Sequence, residues 1–200
     1  RTVVFDNTPP AAHDQTVTVT ADTATAVTLG ATDVDGDALT YAVATPPGHG
    51  TLSGTTPSLT YTPAVDYSGA DSFTFKANDG TADSAPATVS ITVSAVNDAP
   101  VAQAQAVTTA EDTAKAVTLA ATDVDGDALT YVVVTPPAHG TLSGAAPSFT
   151  YTPAANYSGA DSFTFKANDG IADSGVATVS ITVTAANDAP VAQAQAVTTA

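Results

Sequence analysis

Ala31-Thr-Asp-Val-Asp-Gly-Asp-Ala-Leu-Thr-Tyr41 reads as an acidic loop running into a strand, and it returns unchanged as residues 121 to 131. The offset is 90 residues (121 − 31), and at that offset residues 7-96 match residues 97-186 at roughly two positions in three or better. Tyr67-Ser-Gly-Ala-Asp-Ser-Phe-Thr-Phe-Lys-Ala-Asn-Asp-Gly80 recurs in the same way as residues 157 to 170. The tail 187-200 copies 97-110 without a change, and residues 1-6 occupy the register of Ile91 to Val96. The expected organisation is therefore the end of a preceding repeat (1-6), two full repeats (7-96 and 97-186) and the start of a third (187-200). Arrays of near-identical units serve as spacers or scaffolds more often than as enzymes. The chain lacks methionine even at position 1 and reads as a segment of something longer.

Outward from that loop the pattern is β throughout. Apolar residues alternate with polar ones at Val17-Val19, Val27-Leu29, Leu39-Tyr41-Val43, Leu59-Tyr61, Phe73-Phe75-Ala77 and Val89-Ile91-Val93, with Thr in many of the solvent-facing places. Each run is bounded by Gly, Pro, Asp or Asn, the punctuation expected of short strands. His49-Gly-Thr-Leu-Ser-Gly54 supplies one more short strand. About seven strands in a 90-residue unit is the size of an immunoglobulin-like sandwich. The fold class is thus all-β, as tandem sandwiches. Tyr67 precedes the Phe73-Phe75 strand, where it either forms a tyrosine corner or simply packs.

Composition narrows the function. The 200 residues carry 20 acidic side chains against 4 basic ones, a formal charge of −16, with 44% hydrophobic residues. That hydrophobic content is too high for charge-driven disorder. No basic stripe exists to neutralise phosphates, so nucleic acid is excluded as a partner. There is no cysteine, hence no disulfide, thiolate metal site or Cys nucleophile. No apolar run approaches the roughly 18 residues of a membrane span.

The acids are lopsided: nineteen are Asp and only Glu111 is Glu. Asp suits turns and hard-cation sites better than strand interiors. The densest cluster is Asp33, Asp35 and Asp37, with its copy Asp123, Asp125 and Asp127. Three carboxylates at i, i+2 and i+4 in a Gly-containing loop repel one another unless a cation sits among them, and calcium (Ca2+) takes six to eight such oxygens. An EF-hand is rejected, because Gly36 falls between the second and third Asp and no Glu follows at the twelfth position. A solvated turn whose Asp residues only cap backbone is the bland alternative.

These motifs, in this order, resemble the bacterial cadherin-like repeat found in tandem in large secreted adhesins and other surface proteins. The resemblance covers essentially the whole chain. Ala31 to Tyr41 is similar to the cadherin A-x-D-x-D stretch, Ala77-Asn-Asp-Gly80 to the A-x-D-x-G turn, and Val96-Asn-Asp-Ala-Pro100 to the linker that follows the last strand. In that family calcium sits where one domain follows another. The resemblance implies Asn97 and Asp98 as linker ligands, with Asp123, Asp125 and Asp127 from the following unit. From the preceding unit it implies Asp66 and Asp79, the latter copied as Asp169. Glu111 and Asp112 would serve the next linker at Asn187 and Asp188. It further implies an extended rod, an extracellular or bacterial cell-surface location, and neighbouring repeats of the same chain as first partners.

Enzyme signals are absent. His49 and His139 are repeat equivalents in turns, and Gly50-Thr-Leu-Ser-Gly54 has the wrong spacing for a nucleophile elbow. Two rival readings stand beside the calcium-stiffened spacer. One is a calcium-dependent module binding cell-surface glycans, for which Tyr67 and Tyr157 are the candidate platforms. The other is a filament formed with other copies of the chain through strand pairing at exposed first or last strands, such as residues 1-6.

Overall fold

The computed structural model describes residues 7-190 and 192-194. The expectations for residues 1-6, and for residues 191 and 195-200 of the third repeat's opening, lie outside the described residues. The chain divides into two compact units that part between Val96 and Asn97. Among the described residues there is no helix, and therefore none long and apolar enough to cross a membrane.

Unit 1 contains β1 (Ala11–Ala12), β2 (Gln15–Thr20), β3 (Thr25–Thr28), β4 (Ala31–Thr32), β5 (Thr40–Thr45), β6 (Gly50–Thr55), β7 (Ser58–Pro63), β8 (Gly69–Asn78) and β9 (Ala87–Ser94). Unit 2 repeats them as β10 (Val101–Ala102), β11 (Gln105–Ala110), β12 (Lys115–Thr118), β13 (Ala121–Thr122), β14 (Thr130–Thr135), β15 (Gly140–Ala145), β16 (Ser148–Pro153), β17 (Gly159–Asn168) and β18 (Ala177–Thr184). Seven of the nine strands in each unit answer the alternating runs of the sequence. The other two are two-residue pieces that pair with each other, β1 with β4 and β10 with β13.

Each unit is a two-sheet sandwich. One sheet has the order β2-β9-β8-β5 and the other β3-β7-β6, with β11-β18-β17-β14 and β12-β16-β15 in unit 2. Alternation along β8 buries Phe73, Phe75 and Ala77, and the two Phe rings join Val89, Ile91 and Val93 of β9 and Leu59 and Tyr61 of β7 in one core cluster. Unit 2 buries the equivalent Phe163, Phe165, Val179, Ile181 and Tyr151. The ring of Tyr61 leaves no room above Gly50: a Cβ there would lie 2.5 Å from the ring and 2.7 Å from the Thr62 carbonyl.

Among the described residues two acids are buried, Glu111 just after β11 and Asp161 on β17. Asp161, in phase with Phe163 and Phe165, is 8% exposed and accepts hydrogen bonds from Tyr151 Oη (2.7 Å) and from the backbone N–H groups of Ala138, His139 and Ser162 (2.9, 3.0 and 2.8 Å). Asp71 does the same in unit 1 with Tyr61, Gly48, His49 and Ser72. This carboxylate ties the proline turn before β6 or β15 to the core. Burial opposes its charge, but the bonds from Tyr61 or Tyr151 and from the backbone prevail and hold each Asp below the usual carboxylate range. The same burial, with the facing carboxylate, pushes both tyrosines up.

Tyr67 Oη donates to the Ala70 carbonyl at 2.6 Å. It ties down the corner before β8 as a tyrosine corner does, but through a carbonyl three residues ahead of it in sequence. Its ring is stacked on His49 (centroids 4.3 Å apart, 4° between planes), and Tyr157 on His139 likewise.

Candidate metal centre

Strand direction decides which acids can meet. β2 runs parallel to β9, and β8 runs antiparallel to it, with Gly69 opposite Val93 and Phe75 opposite Ala87. The chain therefore enters unit 1 at the end that holds the start of β2 and the end of β8. It leaves at the opposite end, beside the end of β2 and the start of β8.

At the entry end of unit 2, Asn97 Nδ2 donates to Asp169 Oδ2 at 2.9 Å and the Asp98 N–H donates to Asp125 Oδ2 at 2.8 Å. Asp123 Oδ1 accepts from the N–H groups of Asp125 and Asp127 at 3.0 and 3.3 Å, curling the loop around its carboxylate. Unit 1 repeats the arrangement. Asn7 bonds Asp79 (3.0 Å), the Thr8 N–H bonds Asp35 Oδ2 (2.8 Å), and Asp33 Oδ1 accepts from Asp35, Gly36 and Asp37 (2.8, 3.0 and 3.2 Å). Asp79 and Asp169 are held below the usual carboxylate range. The leading cause is the backbone N–H of Ala82 or Ala172; the others are the N–H of Thr81 or Ile171 and the Asn7 or Asn97 amide.

In each loop one oxygen from each of the three carboxylates lies within 4.8 Å of the others. The second oxygen of Asp33, and of Asp123, is buried and has no hydrogen-bond partner. A buried carboxylate oxygen without a donor, on a residue that already has two further carboxylates close by, is costly unless a cation meets it. The donors are all hard oxygens, the set that calcium prefers over softer metals. The residues present therefore fit a calcium ion at each entry end.

The remaining acids fall elsewhere. Asp79 does not stand at the exit of unit 1, where it was expected to face Asn97. It follows the end of β8 and so lies at the entry end of its own unit; the residue that meets Asn97 is Asp169. At the exit end of unit 1, Asp22 Oδ1 accepts from the Asp66 N–H at 3.0 Å. Both have left-handed backbones (φ 57° and 59°), as do their counterparts Asp112 and Asn156. Asn and Asp tolerate that conformation better than other side chains. Glu111 is buried and accepts from the Ala186 N–H, which sets it beside the chain leaving unit 2 toward Asn187 and Asp188. Asn187 Nδ2 donates to the Asp188 carbonyl at 3.3 Å and is exposed. The cations offer no basic patch here: Lys76 and Lys166 pair at the surface with Asp83 and Asp173.

The two sandwiches and their repeated loops define a class of tandem immunoglobulin-like modules. The family model for the bacterial Ig domain matches residues 7-92 and again 97-182, so the chain belongs to that family. No curated protein matches the chain. Among solved structures it is similar to the protocadherin gamma B2 extracellular cadherin domains 1-5 (17% identity, TM-score 0.59, 92% of this chain and 40% of that one). It is also similar to human mucin-like protocadherin EC1-2 (18%, TM-score 0.54, 88% and 98%). An endo-fucoidan hydrolase of glycoside hydrolase family 107 aligns at 24% identity with a TM-score of 0.41, over 90% of this chain and 29% of that one. The chain thus spans less than a third of that hydrolase's length. The cadherin ectodomains establish the fold, and both they and bacterial Ig domains are typically extracellular and non-enzymatic modules.

Proposed function

We propose that this chain is a calcium-stiffened spacer within a large secreted or surface adhesin, extending a module that performs attachment, aggregation or biofilm contact. The buried, partnerless Oδ2 of Asp33 and Asp123 carries the reading. It lies in the same loop whose middle Asp already holds the chain where it enters the unit, at Thr8 or Asp98. A cation bound there fixes the loop and the entering chain together, which removes freedom from the linker. Neighbouring repeats are the first partners, and the repeat continues beyond residues 7-186 as an array.

Small-angle scattering in calcium and then in chelator tests the stiffening. Calcium raises the maximum dimension of the chain; identical profiles at saturating calcium overturn the spacer reading. The glycan-binding alternative is disfavoured because the half-buried Tyr67 ring is both stacked on His49 and packed against the core.

A further inference from the structure

In each unit the four-stranded sheet ends on β5 or β14, which among the described residues pairs on one side only, with β8 or β17. A bare strand edge presents unpaired N–H and C=O groups to another chain, and proteins blunt it with caps, charges or bulges. The two units, otherwise near copies, differ here. In unit 1 the Thr56 hydroxyl donates to the Tyr41 carbonyl of β5 at 2.9 Å, and the outward positions are Ala42 and Ala44. In unit 2 Thr56 becomes Ala146, which has no hydroxyl to give, and the two alanines become Val132 and Val134, 57% and 49% exposed. Thr130–Thr135 carries no charged side chain in a chain of −16. A bulge between Val133 and Thr135, present in unit 1 as well, leaves Thr130 to Val133 as the regular stretch.

We propose that β14 is a self-recognition edge, pairing antiparallel with β14 of a second copy about a two-fold axis at Val132. The Tyr41 carbonyl faces the free edge in unit 1, so the strand's period of two turns the backbone groups of Tyr131 and Val133 to that edge in unit 2. Centring on Val132 sets Tyr131 opposite the partner's Val133, a hydrogen-bonded pairing made twice by symmetry. It also lays the two Val132 side chains against each other on the solvent face. A second copy is the occupant the charges favour: a neutral valine strand meets its like, whereas contact through the acidic loops sets carboxylate against carboxylate. A six-residue contact falls well below the roughly 1,200 Å² at the low end of stable interfaces. A single pair is therefore weak. The inference is independent of the calcium reading.

Sedimentation of the full chain from micromolar to millimolar concentration, in calcium and in chelator, tests it. The expected result is a mass rising from 19.6 kDa toward twice that value in both solutions. Val132→Lys abolishes the rise, Ala146→Thr weakens association by about tenfold by restoring the carbonyl cap, and Ala42→Lys leaves it unchanged, with circular dichroism showing each variant folded. A chain that stays monomeric at millimolar concentration overturns the proposal. So does a rise that survives Val132→Lys, or one that Ala42→Lys removes equally.

Discussion

Asp161 is a buried acid that the fold depends on. Replacing it with Asn leaves Tyr151 Oη and three backbone N–H groups around a poorer acceptor, and the expected loss is about 1–3 kcal/mol in chemical denaturation. Its folded pKa is depressed, so its contribution is fully present above the unfolded value of about 4 and is lost as pH falls through the lower folded value. Asp71, Asp79 and Asp169 act in the same sense. The melting temperature therefore drops on acidification below about pH 4, and Asp71→Asn with Asp161→Asn flattens that slope; an unchanged slope contradicts the assignment. The residue types of the acidic loop marked it in the sequence as the candidate cation site, because three Asp at alternate positions around a Gly repel one another, and the structure brings one oxygen of each within 4.8 Å of the others. Which oxygen lies buried and partnerless was not legible, since that depends on how the loop curls over Asp33 or Asp123. Asp161 itself went unread, although a signal existed: it shares the inward parity of Phe163, Phe165 and Ala167.

Between elements, the seven longer strands were legible because each alternates over several residues. The pairs β1–β4 and β10–β13 were not, since two residues cannot show a period. Nor was the parallel pairing of β2 with β9, made by residues more than 70 positions apart, as Gln15 is from Val89. That non-local register is what moves Asp79 to the entry end of its unit, a placement no motif order reveals. Close packing between strands makes a further prediction. Gly140→Ala forces a Cβ to 2.4 Å from the Tyr151 ring and 2.7 Å from the Thr152 carbonyl. The expected cost is about 1–3 kcal/mol, read as a lowered denaturation midpoint, with Gly175→Ala, which meets nothing within 4 Å, as the neutral control.

Across the whole molecule, an excess of 16 negative charges opposes compaction wherever carboxylates crowd, and they crowd at the entry loops. On the proposed reading, a calcium ion at those loops would offset the repulsion and bind the folded state only. A tenfold to hundredfold excess over the dissociation constant adds about 1.4–2.7 kcal/mol per site. Thermal melting in calcium rises accordingly, while sodium chloride at matched ionic strength gives a smaller shift; equal shifts contradict specific binding. The most direct test of the account is calorimetric titration of calcium into the wild-type chain and into the double variant Asp33→Asn, Asp123→Asn. Saturable binding at about 0.1–1 mM, the range of extracellular modules, that the folded double variant loses is the predicted result. A wild type that shows no saturable heat, or a double variant that titrates like it, contradicts the account.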